Sequence, residues 1–152
     1  MASLPCKLVG QVAFKAGGDV FNAIFTNNAP HMTKITPSKF QSCVLHQGSF
    51  DTNGSILEWK YTLDGKEGSC KQVIENLDKE KRQLTYKFID GDLLELYKTF
   101  SASFHVETKN GVDYVTWTLD YELLKPDNPH PVSVLNFVIG FTTDIEAHIF
   151  GA

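Results

Sequence analysis

The sequence lacks long basic runs and long apolar runs, and each absence excludes a class of protein. Among 152 residues the longest basic run is the pair Lys81–Arg82, and 14 basic residues are outnumbered by 18 acidic ones. Because nucleic-acid binding depends on clustered positive charge, we expect no nucleic-acid partner. No stretch reaches the roughly 18 apolar residues of a membrane-spanning helix, so we expect no membrane insertion.

Cysteine is also scarce. Cys6, Cys43 and Cys70 are odd in number and too widely spaced for a zinc ribbon. We interpret them as reduced thiols that pack as small apolar groups, with a redox or metal role as the alternative. Residues 1–5 lack the charged region and continuous apolar core of a signal peptide, so a cytoplasmic location is predicted.

The overall composition is that of a globular chain. Hydrophobic residues make up 42% and charged residues 21%, a balance that disordered chains do not have. The length suits one domain, and no internal repeat, linker or low-complexity segment divides it. We therefore predict a single domain over residues 1–152.

Large apolar and aromatic side chains recur at every second position in several segments. The two clearest sets are Leu57, Trp59, Tyr61 and Leu63, and Val115, Trp117, Leu119 and Tyr121. Since side chains alternate faces along a strand, each set lines one face of a strand and points to the interior. A sheet lined in this way needs a cover, and the apolar segment from Val132 to Phe150 is the candidate.

The remaining pattern predicts seven strands and three helices. The predicted strands are one that carries Leu4 to Phe14, then Phe40–Gln47, Ser55–Leu63, Lys66–Leu77, the run of Leu84, Tyr86 and Phe88, Leu96–Thr108 and Tyr114–Leu123. Asp19 is predicted to cap a short helix that ends near Thr26, and Pro30 to open a second one through Ile35. Strands joined by short turns are antiparallel, so the fold class is α+β.

Short motifs spread along the chain carry a resemblance to a known family. They are Leu8-Val-Gly-Gln-Val12, Ala29-Pro-His-Met-Thr-Lys-Ile-Thr-Pro37, Leu45-His-Gln-Gly48, Gly54-Ser-Ile56, Trp59-Lys-Tyr61, Asp64-Gly-Lys66, Asp90-Gly-Asp-Leu93, Tyr97-Lys-Thr-Phe100 and Val115-Thr-Trp-Thr-Leu-Asp-Tyr-Glu122. With them the chain resembles the plant major latex proteins, within the birch-pollen-allergen (pathogenesis-related class 10) superfamily. The loop residues Ser49–Asn53 depart from the usual family pattern, and we predict a structural hairpin there rather than a phosphate-binding loop.

The resemblance implies a helix-grip fold and an internal binding site. In that fold a seven-stranded curved antiparallel sheet surrounds a long C-terminal helix, and two short helices lie between strands 1 and 2. It also implies a large hydrophobic cavity for apolar plant metabolites. The expected wall consists of Phe21, Phe25, Leu57, Trp59, Tyr61, Leu84, Tyr86, Phe88, Phe100, Val115, Trp117, Leu119, Val138, Ile139 and Thr142.

A few polar groups are candidates for orienting a ligand or moving a proton. Buried phenols need hydrogen-bond partners, so Tyr61 and Tyr86 could bind a hydroxyl or carbonyl of a ligand, or else backbone or water. His46 lies next to the loop, at the expected cavity mouth, and is a candidate ligand contact and general base. No residue pattern indicates a metal or cofactor site, so neither is expected, and no catalytic residue is assigned.

Three functions remain open at this point. The first is a carrier or reservoir for terpenoids, sterols, phenolics or hormone-like compounds, acting as a monomer or weak dimer. The second is a cofactor-independent cyclase or isomerase that uses the same cavity for monoterpenoid or alkaloid intermediates. The third is a ribonuclease-like protein of plant defence, against which the negative charge and the plain loop argue.

Overall fold

A single antiparallel sheet of seven strands, in the order β1-β7-β6-β5-β4-β3-β2, dominates the computed structural model, which describes residues 4–151. The strands are β1 Pro5–Ala13, β2 Phe40–Gln47, β3 Ile56–Leu63, β4 Lys66–Asp78, β5 Gln83–Gly91, β6 Tyr97–Lys109 and β7 Val112–Leu123. The helices are α1 Gly18–Asn27, α2 Met32–Ile35 and α3 Val132–Phe150, with 3-10 turns at Ala29–His31 and Asp92–Glu95. The predicted helix-grip arrangement is confirmed: the curved sheet surrounds α3, and the two short helices lie between β1 and β2.

Alternation along the strands places the apolar side chains inside. On β7, Val115, Trp117 and Leu119 are at most 1% exposed, while their neighbours in sequence are partly exposed. On β6, Phe104 is buried and His105 is exposed, as the strand pattern predicts. The concave side of the sheet therefore carries a continuous aromatic core, and α3 packs against it.

A tight hairpin sets the register of β3 and β4. Asp64 and Gly65 join β3 to β4 with φ angles of 53° and 76°, and the strands pair up to Leu63 and Lys66 on either side. Positive φ at both central residues is the geometry of a type I′ turn, which matches the twist of the flanking strands. The Asp64-Gly65 pair, a sequence that favours such turns, thus forms the hairpin between β3 and β4.

The start of α1 differs from the prediction. The N-cap position is held by Gly17, without a side-chain cap bond, and Asp19 lies in the first turn. The carboxylate that accepts the Gly18 N–H bond is Asp113 Oδ2, at 2.7 Å, from the far end of the chain. The prediction of Asp19 as the cap is therefore wrong, because β7 brings another carboxylate to the helix start.

The long helix spans Val132–Phe150, the apolar segment that the sequence offered as the cover of the sheet. Its inner face consists of Val134, Val138, Phe141 and Ile145, which are all at most 7% exposed. Among the described residues 4–151, no helix is long and apolar enough to cross a membrane.

Candidate functional site

An apolar cavity of about 70 Å³ lies between the concave side of the sheet and α3. The internal hydrophobic cavity implied by the resemblance is present, but its volume is small. An engineered protein cavity that binds benzene measures about 150 Å³, and ligand pockets start at roughly 300 Å³. The cavity of this protein is small because aromatic rings fill the space around it. The rings of Phe40 and Phe141 lie 5.3 Å apart, and the Trp117 ring is 5.3 Å from that of Phe141.

Seven of the residues predicted for the wall border this cavity. They are Phe25, Trp59, Tyr61, Tyr86, Phe88, Trp117 and Val138. The five sheet residues come from inward-facing positions of β3, β5 and β7, while Phe25 reaches in from α1 and Val138 from α3. Both tryptophans of the chain therefore border the cavity.

Other predicted wall residues are buried elsewhere in the core. Phe21, Leu57, Leu84, Val115 and Leu119 are at most 1% exposed, yet none borders the cavity. Phe21 illustrates the reason, because its ring lies 5.0 Å from that of Phe104 and 5.4 Å from that of Phe14. These side chains fill the interior with one another and leave no space beside them.

Three further predicted residues have other neighbours. Phe100 packs on Phe88 with ring centroids 5.0 Å apart, at the seam where β5 separates from β6. Ile139 lies against Gly10, where an added Cβ would come within 3.2 Å of its Cδ1. Thr142 accepts a hydrogen bond from the Trp117 indole at 2.9 Å. The structure thus places all three outside the cavity wall.

His46 lies on the outer face of the sheet. Its Nε2 is 2.8 Å from Glu58 Oε1, and 41% of its side chain is exposed. The register between β2 and β3 shifts between Leu45 and Gln47, next to this residue. The structure thus separates His46 from the cavity by the sheet itself, and a proton transfer inside the cavity cannot use this imidazole directly.

Comparison with known proteins places this fold and cavity in a family. Residues 3–152 match the model of the Pathogenesis-related protein Bet v 1 family. The chain belongs to this family. MLP-like protein 43 of Arabidopsis thaliana is a relative with 37% identity, over 97% of this chain and 95% of that protein. The resemblance to plant major latex proteins is therefore confirmed.

Solved structures extend the comparison. Ginseng major latex-like protein 151 from Panax ginseng is 40% identical, with a TM-score of 0.92 over 95% of this chain and 97% of that chain. Truncated norcoclaurine synthase from Thalictrum flavum has a TM-score of 0.78 at 17% identity, covering 100% of this chain and 98% of that one, which shows the fold alone. The chain thus has the hydrophobic-ligand-binding fold of the Bet v 1 family.

Two polar atoms of this Bet v 1 family chain are buried at the cavity wall. Gln72 Oε1 and the Tyr86 hydroxyl have no hydrogen-bond partner among the residues that the structure describes. Burial raises the pKa of the Tyr86 phenol well above its ordinary value, so this group stays neutral. The wall is therefore apolar apart from a few uncharged groups.

Tyr61 separates the cavity from a surface groove. The groove is bordered by Gln41, Lys60, Tyr61, Glu67, Gly68, Ser69 and Asp92. Burial raises the pKa of the Tyr61 phenol above its ordinary value, and repulsion from the Cys70 and Asp92 groups adds a smaller effect in the same direction. A Cβ added at Gly68 would lie 3.1 Å from the Tyr61 oxygen, so the lack of a side chain at Gly68 makes room for the phenol.

Three wall residues are only half-buried and mark the opening of the cavity. These mouth residues are Leu63 on β3, Phe88 on β5 and Phe137 on α3. Phe137 packs on Phe40 with ring centroids 5.3 Å apart and on Tyr61 at 6.1 Å. Because one side of each mouth residue meets solvent, these side chains have more freedom to move than the fully buried wall.

Nine wall residues were missed by the analysis of the sequence. They are Phe40, Leu63, Cys70, Gln72, Leu93, Ala102, Val134, Phe137 and Phe141. A signal for some of them existed: Val134, Val138 and Phe141 follow the helical i, i+4, i+7 spacing, and Cys70, Gln72 and Ile74 alternate. Gln72 was not predicted for the wall because a polar residue in a strand is normally assigned to the solvent face.

Proposed function

We propose that this Bet v 1 family chain binds small, neutral, hydrophobic plant metabolites in its internal cavity and acts as a carrier or reservoir. The observation that supports this most directly is an apolar, aromatic-lined cavity beneath α3, with no charged side chain in its described wall. Burial of apolar ligand surface would supply roughly 25 cal/mol per Å². We place this activity in the cytoplasm, in a monomer or weak dimer, because the free thiols suit a reducing compartment.

Ligand entry requires the cavity to enlarge from about 70 Å³. The mouth residues are the side chains with the freedom to do this, because each is only half-buried. Rotation of Phe137 away from Phe40 would join the cavity to solvent. A ligand that binds a wider conformation of the cavity would shift the protein toward that conformation, so a cavity that is small without ligand can still be the binding site.

The test uses the two tryptophans as reporters, because Trp59 and Trp117 both border the cavity. Ala102→Leu introduces a larger side chain at the wall, and Ser101→Leu is its control on the neighbouring outward position of β6. We expect an apolar terpenoid to change tryptophan fluorescence and to remain bound, unchanged, in native mass spectrometry. Ala102→Leu should weaken this binding at least tenfold, with Ser101→Leu near the wild-type affinity. Equal binding by both variants would place the ligand elsewhere.

A second candidate is a cofactor-independent cyclase or isomerase, and the buried phenol of Tyr86 is the observation that supports it. A neutral O–H inside an apolar cavity can polarise a carbonyl, and the wall can fold a reactive intermediate. Norcoclaurine synthase, whose fold is similar, has a structure in complex with dopamine and hydroxybenzaldehyde. Incubation with a reactive dialdehyde tests this candidate: product ratios that change with wild-type protein, but not with Tyr86→Phe, would support it.

A further inference from the structure

Within residues 4–151, three buried side-chain atoms have no hydrogen-bond partner, and two of them lie at the cavity. Gln72 Oε1 and the Tyr86 hydroxyl both border it, whereas the third, Asn22 Oδ1, lies on α1 away from the wall. Gln72 is 6% exposed and Tyr86 is 4% exposed, so bulk water does not solvate them. Buried polar groups in folded proteins are normally paired, and such an unpaired set calls for an explanation.

The sheet places these two side chains on the same wall. Gln72 on β4 is opposite Phe88 on β5, and Ile74 is opposite Tyr86, so Gln72 and Tyr86 are diagonal neighbours. Diagonal neighbours on adjacent strands lie about 7–8 Å apart at the backbone, within the reach of long side chains. One small group of a ligand can therefore contact both polar ends.

We propose that Gln72 and Tyr86 form a hydrogen-bonding subsite that selects a neutral, apolar ligand carrying a hydroxyl group. This inference rests on the proposed function and specifies the ligand class. An amide oxygen only accepts hydrogen bonds, whereas a phenol donates or accepts. A ligand hydroxyl donates to Gln72 Oε1 and accepts from the Tyr86 O–H. A ketone or ether has no proton for Gln72, and a hydrocarbon leaves both groups unpaired.

The charges at the wall restrict the ligand further. None of the described wall residues is an acid, a histidine, a lysine or an arginine, and burial keeps the phenol of Tyr86 and the thiol of Cys70 protonated. A carboxylate or ammonium group brought into this space would lose its hydration without gaining an opposite charge. Fatty-acid anions and amines are therefore excluded as ligands that bury their charged group here.

The rest of the ligand would contact aromatic surface. Trp59, Trp117 and Phe141 border the same cavity and offer ring faces to a compact hydrocarbon skeleton. These contacts favour apolar ligands in general, whereas only the Gln72–Tyr86 subsite distinguishes an alcohol from its hydrocarbon. The two contributions can therefore be separated experimentally.

The experiment compares three probes with one skeleton: borneol, an alcohol; camphor, the ketone; and bornane, the hydrocarbon. Binding to the full chain is measured by tryptophan fluorescence and by calorimetry, for wild type, Tyr86→Phe, Gln72→Leu and the double variant. Tyr114→Phe and Gln11→Leu are matched controls outside the cavity wall. We expect wild type to bind borneol about tenfold more tightly than bornane, a difference of about 1.4 kcal/mol. The double variant should lose this preference, because nothing then pairs with the borneol hydroxyl.

Each outcome decides between the proposals. Equal wild-type affinity for all three probes, or an alcohol preference that survives in the double variant, would overturn the subsite and leave the carrier function standing. Failure of every probe to bind would overturn the carrier function and the subsite together. A direct readout is the Gln72 side-chain amide resonance in NMR, which is assigned by its loss in Gln72→Leu. It should shift with borneol and hardly at all with bornane.

Discussion

The indole Nε1–H of Trp117 donates a hydrogen bond to Thr142 Oγ1 over 2.9 Å and thereby joins β7 to α3 inside the core. Trp117 is 1% exposed and Thr142 is not exposed at all. The Thr142 hydroxyl in turn donates to the Val138 carbonyl oxygen at 2.7 Å. The hydroxyl proton of Thr142 is thus used within α3, so this group has no proton left to donate to a ligand.

Thr142→Val keeps the shape of this side chain but removes the acceptor. We expect the free energy of unfolding to fall by about 1–3 kcal/mol, because the Trp117 N–H is then buried without a partner. Denaturant unfolding measures the change. Thr142→Ser should retain most of the stability, and Thr143→Val, at an exposed position of α3, should stay within about 0.5 kcal/mol of wild type. An unchanged free energy of unfolding in Thr142→Val would show that this hydrogen bond contributes nothing to stability.

Asp113, rather than Asp19, stabilises the start of α1. Asp113→Asn should lower the free energy of unfolding by about 0.3–1 kcal/mol, the usual contribution of a negative charge at a helix N-terminus, because the charge opposite Gly18 N–H and Arg82 is lost. Asp19→Asn is the control: its carboxylate is 91% exposed and 3.4 Å from Arg82, so we expect little change. A larger effect from Asp19→Asn would reverse the assignment.

The contribution of Asp113 should also depend on pH. The hydrogen bonds from Thr108 and from Gly18 N–H, together with Arg82, hold the pKa of Asp113 below its ordinary value. The unfolded chain therefore takes up a proton near pH 4 while the folded protein does not, so this stabilisation is lost as the pH falls further. The difference between wild type and Asp113→Asn, followed by thermal unfolding, should be full at pH 6 and should decline as the pH falls below 4.

Two of the three cysteines should be unreactive in the folded protein. Burial raises the pKa of Cys43 to about 12 and that of Cys70 above its ordinary value. At pH 8 a thiol with a pKa of about 12 is a thiolate in about one molecule in 10,000, and the thiolate is the reactive form. A thiol reagent should therefore label only Cys6 in the native protein and all three cysteines in denaturant.

The same shifts make a prediction at alkaline pH. Unfolded thiols ionise near pH 8.5, whereas Cys43 and Cys70 stay protonated in the fold, so the stabilisation that their burial contributes declines as the pH rises above that value. Cys43→Ala should reduce this alkaline loss, measured by denaturant unfolding between pH 8 and pH 11. Rapid labelling of more than one thiol in native protein would contradict the raised pKa values of Cys43 and Cys70.

The mouth of the cavity predicts a kinetic effect. Phe137→Ala removes a half-buried ring from the opening, so we expect a loss of about 2 kcal/mol in stability, less than the 3–5 kcal/mol of a fully buried site. Association of an apolar ligand, followed by stopped-flow tryptophan fluorescence, should become several-fold faster. His46→Ala, on the outer face, is the control and should leave the rate unchanged. An unchanged rate in Phe137→Ala would place the entrance elsewhere.

Local patterns were enough to predict the strands and most of their facing. Trp59 and Trp117 point inward because side-chain alternation depends only on the strand that carries them. The turn at Asp64-Gly65 follows from residues that tolerate positive φ. Gln72 shows the limit of such patterns, because its polarity favoured the solvent face while its position in the alternation placed it inside.

The amino-acid sequence by itself determined the family, the order of the elements and the apolar face of each strand, since all of these depend on neighbouring residues and short motifs. Only the tertiary structure decided which inward-facing residues border the cavity, that Asp113 replaces Asp19 at α1, and that His46 lies outside. The physical reason is that a cavity is the space left between side chains of distant elements. Whether Phe25 borders it and Phe21 does not depends on packing by β6, β7 and α3, which no local pattern contains.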